Sequence, residues 1–230
     1  LVTQNIGQVV QKVGYPVMST IQNDPTRQVR VYSRIVRLTM LITCTLVMGL
    51  LGCAESMIHV LIGEQWLPSV PYLRLLGLSG LFLPLILASV NVFNANGKSE
   101  VTLKLEVIKT LLAAIPVTLG IIYDINMMLW GMVAVSALSY LVHAWYVSKE
   151  IPYSLVRQVA DIIPFFACSA VMGGVVYVIG NAIELSPLLT LLVQLAAGFV
   201  ITIISYEFIY RAEEYRDIRN QALKVLKLKK

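Results

Sequence analysis

Apolar residues fill this chain in six long runs separated by short polar breaks. A run of about twenty apolar residues is what a helix needs to cross the hydrocarbon core of a bilayer. The six predicted spans run from Leu38 to about Leu61, from Leu73 to about Ala95, over roughly 104–123, from Met127 to Val147, from Ile162 to Asn181 and from Pro187 to Ile209. Turn-forming residues divide them: Gly63 to Pro71, Asn96-Gly97, Asp124 to Asn126, Ile151-Pro152 and Ser186-Pro187. Connectors this short join antiparallel neighbours. Ahead of the first span, Val2, Ile6, Val9, Val10, Val13 and Val17 recur at helical spacing, which predicts the end of a helix begun upstream. The pattern therefore predicts an all-α, polytopic membrane helical bundle. Residues 1–34 read as that helix end plus a basic cytoplasmic loop, 35–210 as six transmembrane helices, and 211–230 as a basic amphipathic cytoplasmic tail.

Composition agrees with lipid as the solvent. Of 230 residues, 57% are hydrophobic and 13% charged, and the mean hydropathy is +0.76. A soluble domain carries roughly a quarter charged residues, so this chain has too little polar surface to face water on all sides. A soluble enzyme, a nucleic-acid-binding domain and a disordered tail are excluded. The distribution of cations sets the orientation. Of the 18 Lys and Arg residues, all but Arg74 fall in the segment before the first span, around the second-to-third and fourth-to-fifth loops, or in the tail. Retention of Lys and Arg on the inner side places both chain ends in the cytoplasm, and the net charge of +5 follows from that topology. In the tail, Ile218, Ala222, Val225 and Leu226 form an apolar stripe among basic residues, as in a helix lying on the membrane surface.

Nothing assembles a catalytic constellation. Cys44, Cys53 and Cys168 lie inside apolar runs without a partner at metal-ligand or disulfide spacing. His59 and His143 fall near opposite membrane faces, and no Gly-rich phosphate loop or nucleophile elbow is present. No enzyme activity and no cofactor are expected. Polar residues inside the spans are the candidates for transport. The uninterrupted apolar part of the third span, Thr110 to Tyr123, is only about 21 Å long at 1.5 Å per residue. That length draws Lys104, Glu106 and Lys109 toward membrane depth, with Glu106 and Lys109 spaced to pair. The lysines either snorkel to the cytoplasmic surface or form a cationic entrance for an anionic lipid-linked substrate. Asn91 and Asn94 share a helix face, and either bond a neighbouring helix or line a polar cavity. Arg74 reaches outer headgroups or contributes to a polar lumen. Ser136, Ser139 and His143 form a stripe suited to polar packing, and Pro84, Pro116 and Pro164 favour kinks. Trp66, Tyr72, Tyr123, Trp130, Trp145, Tyr146, Tyr153, Tyr206 and Tyr210 fall at span ends, as interfacial belts do.

Three segments resemble a known family. Tyr15-Pro16 through Ser19, Gln22 and Asp24, with the basic run to Arg37, is similar to the cytoplasmic loop after the eighth helix of Wzx-type polysaccharide flippases. These belong to the multidrug/oligosaccharidyl-lipid/polysaccharide exporter superfamily. Ile62-Gly63-Glu64-Gln65-Trp66, then Ser69, Tyr72 and Leu73, resembles that family's segment before the tenth helix. Asn94-Ala95-Asn96-Gly97-Lys98-Ser99, leading to Lys104 and Lys109, resembles its turn before the eleventh. The resemblance implies the family's C-terminal portion, its ninth to fourteenth helices, without the first lobe of a complete member. It implies translocation of an undecaprenyl-diphosphate-linked oligosaccharide repeat across the bacterial inner membrane by alternating access, for surface polysaccharides such as O-antigen. Lys104, Lys109 and Arg74 would then serve the diphosphate, and Asn91 and Asn94 the sugars. Implied partners are the lipid-linked oligosaccharide, membrane lipids, and a polysaccharide polymerase and glycosyltransferases, with no nucleic acid. The competing readings are a multidrug antiporter of the same superfamily and a membrane-embedded glycan polymerase or ligase. The first wants a carboxylate deep in the membrane, whereas Glu55, Glu106 and Asp161 lie near span ends. The second wants a large outer loop, and the outer loops here are short. In cysteine-accessibility labelling of intact cells, residues substituted at Lys98 and at Glu184 are expected to react from opposite sides of the membrane.

Overall fold

The computed structural model describes residues 2–183 and 185–209. Glu184, Tyr210 and the basic tail from Arg211 to Lys230 lie outside the described residues. Eight α-helices run through it: α1 (Val2–Thr20), α2 (Pro25–Leu61), α3 (Val70–Ser79), α4 (Leu83–Ala95), α5 (Ser99–Ile122), α6 (Ile125–Glu150), α7 (Leu155–Ala182) and α8 (Pro187–Ile204). Two 3₁₀ turns, Glu64–Ser69 and Gly80–Phe82, flank α3, and a π turn, Ser205–Ile209, closes α8. α3, α4 and their turns form one broken span, so six segments are long and apolar enough to cross a membrane. The chain is a multi-pass membrane protein, and all six expected spans are present.

The residues at the helix starts explain where they begin. The Asp24 carboxylate accepts from the Arg27 backbone N–H at 2.9 Å, Asp124 accepts from Met127 at 2.8 Å, and Ser186-Pro187 opens α8. Asp24 with Pro25 starts α2 well before the apolar run does. Arg27, Arg30, Arg34 and Arg37 consequently lie on helix, where the hydropathy pattern predicts a loop. Tyr32 and Val36 are fully buried beneath these arginines, so the inner face of α2 continues at helical period while its outer face turns basic. In the second span, Pro84 lacks the N–H that would bond the Gly80 carbonyl, and the helix tightens to 3₁₀ at Gly80–Phe82. α5 and α7 continue unbroken through Pro116 and Pro164.

α2 is the central post. It lies along α7 for most of its length and also touches α1, α3, α4 and α8. The α2–α7 approach is close because glycines face one another. A Cβ on Gly52 would stand 2.6 Å from the Gly173 carbonyl oxygen, and one on Gly173 would stand 2.6 Å from that of Met48. Hydroxyl groups fasten the other end of this interface. Tyr206, buried in the π turn, meets the hydroxyls of Ser169 at 2.8 Å and Thr45 at 3.4 Å, and donates to the Phe165 carbonyl at 3.3 Å. α1 packs on α4, and α5 packs chiefly on α6 at the rim, with only Leu105 and Pro116 of α5 buried.

Side-chain bonds gather the basic connectors at one end. Gln28 donates to Asn96 at 2.7 Å, Lys98 pairs with Glu150 at 2.7 Å, and Arg37 lies 3.7 Å from Asp161. Tyr153, between α6 and α7, is buried at this end and donates to the Asp161 carboxylate. Burial, followed by that hydrogen bond and the carboxylate's charge, raises its pKa above the usual tyrosine range, so it remains a fixed donor. Trp66, Tyr72, Tyr123, Trp130 and Trp145 are exposed, as belt residues should be, but Tyr153 and Tyr206 are interior ties. Their hydroxyls found partners in neighbouring helices, which a pattern along one chain does not display. Gly173→Ala is expected to lower the thermal unfolding midpoint in detergent, an overpacking cost of about 1–3 kcal/mol. Gly174→Ala, where a Cβ meets nothing within 4 Å, is expected to leave the midpoint level or raise it.

Candidate functional site

α1 carries the most unusual surface of the molecule. Its 19 residues span about 28 Å, close to the thickness of a hydrocarbon core. Gly7, Gly14 and Met18 are buried and define one face. Beside that face, Gln4, Gln8, Gln11 and Tyr15 follow each other at i, i+4, i+7 and i+11, all exposed, with Asn5 and Lys12 one position round. Val9, Val13 and Val17 occupy the opposite flank. An amide turned toward acyl chains loses its hydrogen bonds to water at a cost of several kcal/mol. The stripe therefore requires water, a polar ligand or polar groups of another helix along it.

At the basic end this stripe runs into a cavity of about 560 Å³ between α1 and α4, lined by Gln11, Lys12, Tyr15, Asn91, Asn94 and the turn at Gly97. Asn91 is 1% exposed. Its Nδ2 donates to the Val10 carbonyl at 3.0 Å, which ties α4 to α1, and its buried Oδ1 has no partner. The Asn94 Oδ1 accepts from Thr102 at 3.0 Å, which steadies the start of α5. The wall thus offers one ammonium, a phenol and several amides, a set suited to phosphate and sugar hydroxyls.

Of the residues expected to form a site, the fold brings Asn91 and Asn94 together and leaves the others elsewhere. Lys104 and Lys109 ride on peripheral α5, and Lys109 pairs with Glu106 at 2.6 Å. Arg74 lies near the far end of the bundle. There it donates to the Leu51 carbonyl at 3.2 Å and stacks 4.9 Å from the Tyr177 ring centre. Lys12, Tyr15 and the glutamine stripe were missed as site residues. The signal was present in the spacing of Gln4, Gln8 and Gln11, but the valines of the same helix masked it. Ser136 and His143 are packing residues: Ser136 donates to the Ser79 carbonyl, and the His143 Nδ1–H faces the Ser139 carbonyl at 2.7 Å. Among the described residues no group of three or more His, Cys, Asp or Glu side chains could hold a metal.

These features define a polytopic helical membrane protein with a polar stripe along one helix. Residues 1–71 match the family described as polysaccharide biosynthesis protein. The chain is 20% identical over 197 residues to the teichuronic acid biosynthesis protein TuaB of Bacillus subtilis, covering 84% of this chain and 41% of that protein. Its fold superposes on the lipid II flippase MurJ in the inward closed conformation with a TM-score of 0.69 at 14% identity, covering 91% of this chain and 46% of the flippase. The fold is thus MurJ-like, and the sequence resemblance to polysaccharide flippases stands. The chain spans less than half the length of either protein. In a cysteine-free background, Gln8→Cys is expected to react with a membrane-impermeant thiol reagent, and Leu111→Cys, on the exposed apolar surface of α5, to stay unlabelled. Labelling of both at equal rates would show that the α1 stripe has no aqueous path of its own.

Proposed function

We propose that this chain is part of a transporter that flips an undecaprenyl-diphosphate-linked oligosaccharide across the bacterial inner membrane, with its basic end in the cytoplasm. The observation that carries the reading is the polar stripe of α1 leading into the cavity of Lys12, Asn91 and Asn94. A lipid-linked saccharide needs a wet, hydrogen-bonding route for its head beside a bilayer that keeps its tail. An α1 polar on one flank and apolar on the other lies at that boundary. Lys12 faces the diphosphate as a mobile point charge. Asn94, the glutamines and the open Oδ1 of Asn91 take sugar hydroxyls, whose many donors and acceptors suit amides. Lys104 and Lys109 stand on the cytoplasmic rim of α5, where they draw the anionic head toward the membrane rather than hold it. The family match, the likeness to a teichuronic acid biosynthesis protein and the MurJ-like fold support the same class of cargo.

The reading also accounts for α1 packing on α4 rather than deep among α2 and α7. A helix that lines the path must present one side to it, and the Asn91–Val10 bond fixes which side that is. In proteoliposomes holding the full-length protein and a fluorescent undecaprenyl-diphosphate oligosaccharide, Lys12→Gln is expected to slow flipping about tenfold, the worth of one charge-assisted contact. Lys12→Arg should retain most of the rate, and both variants should keep the parent's unfolding midpoint. An unchanged rate in Lys12→Gln would remove Lys12 from the path.

A further inference from the structure

A second polar cavity, of about 220 Å³, lies where α2, α3, α7 and α8 meet at the end opposite the basic connectors. Arg74 from α3, Glu55 and Ser56 from α2, and Thr190 and Gln194 from α8 line it. Two buried atoms in its wall have no partner, the Arg74 Nη2 and the Gln194 Oε1. Both side chains are nonetheless held in place. The Arg74 Nε bonds the Leu51 carbonyl at 3.2 Å while its guanidinium stacks on Tyr177. Gln194 is 2% exposed, and its amide nitrogen donates to the carbonyls of Val176 at 2.9 Å and Gly52 at 3.5 Å. Gly180 leaves room for that amide, since a Cβ there would collide with it. Spare hydrogen-bonding capacity on two immobilised side chains marks a place for a ligand, because an unsatisfied buried group costs free energy that a ligand recovers.

Charge and shape describe that ligand. Arg74 and Glu55 line the same cavity without pairing with each other, so it holds a separated cation and anion. The complement is a zwitterion whose anionic oxygen meets the guanidinium and whose cation meets the carboxylate. The open Gln194 Oε1 adds a demand, since it needs an N–H or O–H donor, which an ammonium has and a quaternary amine lacks. Gln194 also borders an apolar groove of about 640 Å³ that runs between the same helices and Thr3 of α1, past Leu46, Leu50, Leu76 and Phe199. A polar head chamber opening on an apolar groove fits an amphiphile.

We infer that the Arg74–Glu55–Gln194 cavity binds the headgroup of a primary-amine zwitterionic phospholipid, with an acyl chain in the adjoining groove. The phosphate oxygen takes the Arg74 Nη2–H, and the ammonium donates to Gln194 Oε1 and Glu55. The lipid fills the junction of four helices and ties α7–α8 to α2–α3. The head chamber contains no residue of α1, although Thr3 of α1 borders the groove, and the site does not depend on the cargo assigned to the α1 path.

Native mass spectrometry of the full-length protein, with lipids of matched chains, tests this. Phosphatidylethanolamine is expected to be retained about tenfold better than phosphatidylcholine, and Arg74→Gln or Glu55→Gln to reduce that preference at least severalfold. Unfolding midpoints measured in parallel identify a variant that has lost its fold. In that event, the phosphatidylethanolamine-to-phosphatidylcholine ratio of the parent protein decides alone. Free phosphoethanolamine at the same concentration should not displace the lipid, because it has no chain for the groove. Equal retention of the two lipids, a preference for phosphatidylglycerol, or displacement by free phosphoethanolamine would each overturn the assignment.

Discussion

Hydrocarbon offers no hydrogen bonds, and the arrangement of this bundle follows from that deficit. Every polar group inside a span must find a partner on another helix or face water. Tyr206 meets Ser169 and Thr45, Tyr32 meets Ser89 at 2.9 Å, and Gln158 donates to the carbonyls of Ala144 and Tyr153. These bonds join α8 to α7 and α2, α2 to α4, and α7 to α6. In lipid, where apolar surface gives helices no reason to prefer one another over acyl chains, such ties and close glycine contacts select the neighbours. The same deficit singles out places where polar groups remain open. Among the described residues these include the glutamines of α1, the Asn91 Oδ1, the Arg74 Nη2 and the Gln194 Oε1, along with single atoms of Thr43, Ser139, Tyr140 and Gln158.

The close α2–α7 contact and the open face of α1 are two sides of one design. Gly52 and Gly173 let two backbones approach to a distance no side chain allows, so α2 and α7 form a stiff post. α1 instead packs along α4 and leaves more than half its circumference outside the core. A transporter that alternates access needs rigid bodies and a lined gap between them. The broken second span separates its two halves. Its 3₁₀ turn before Pro84 lets α3 run with α2 while α4 runs chiefly with α1, both halves touching α6. Arg74 and Asn91 therefore share one span yet serve opposite ends.

The spans were legible because hydropathy is a property of single segments. Asp124 and Ser186 fall in turns legible from the sequence, and their helices start there, but Asp24 was read as loop and not as the cap that starts α2. Expected boundaries fell short where helices continue past the apolar run, as α2 does beneath its arginines. Helix-to-helix register was not legible. Lys104 and Asn94 are ten positions apart in the chain, and reading them as one site ignored that α5 departs to lie on α6. Tyr153 and Tyr206 resembled belt residues by position, and only the tertiary arrangement shows Asp161 and Ser169 waiting for them. The glutamine stripe was written in the chain at helical period, but it competes with an equally periodic set of valines. A helix polar on one flank and apolar on the other gives a weak signal to any scale that averages the two.

The two cavities differ in a way that matches their positions. The one beside α1 holds a single ammonium, many amides and a wide mouth, which suits a head that must enter, slide and leave. On the proposed function, weak, repeated contacts along Gln4, Gln8 and Gln11 would keep any one station from trapping a passing sugar. The far cavity is smaller, and its guanidinium and amide are each pinned by a backbone carbonyl and a packed neighbour. Pinned groups have already lost their conformational freedom, so a ligand there binds without paying for it again. Preorganisation of that kind favours residence over passage. On the two proposals above, exposed glutamines and a seat of locked side chains therefore belong to different tasks within one bundle: movement along α1, and a fixed junction where α2, α3, α7 and α8 converge.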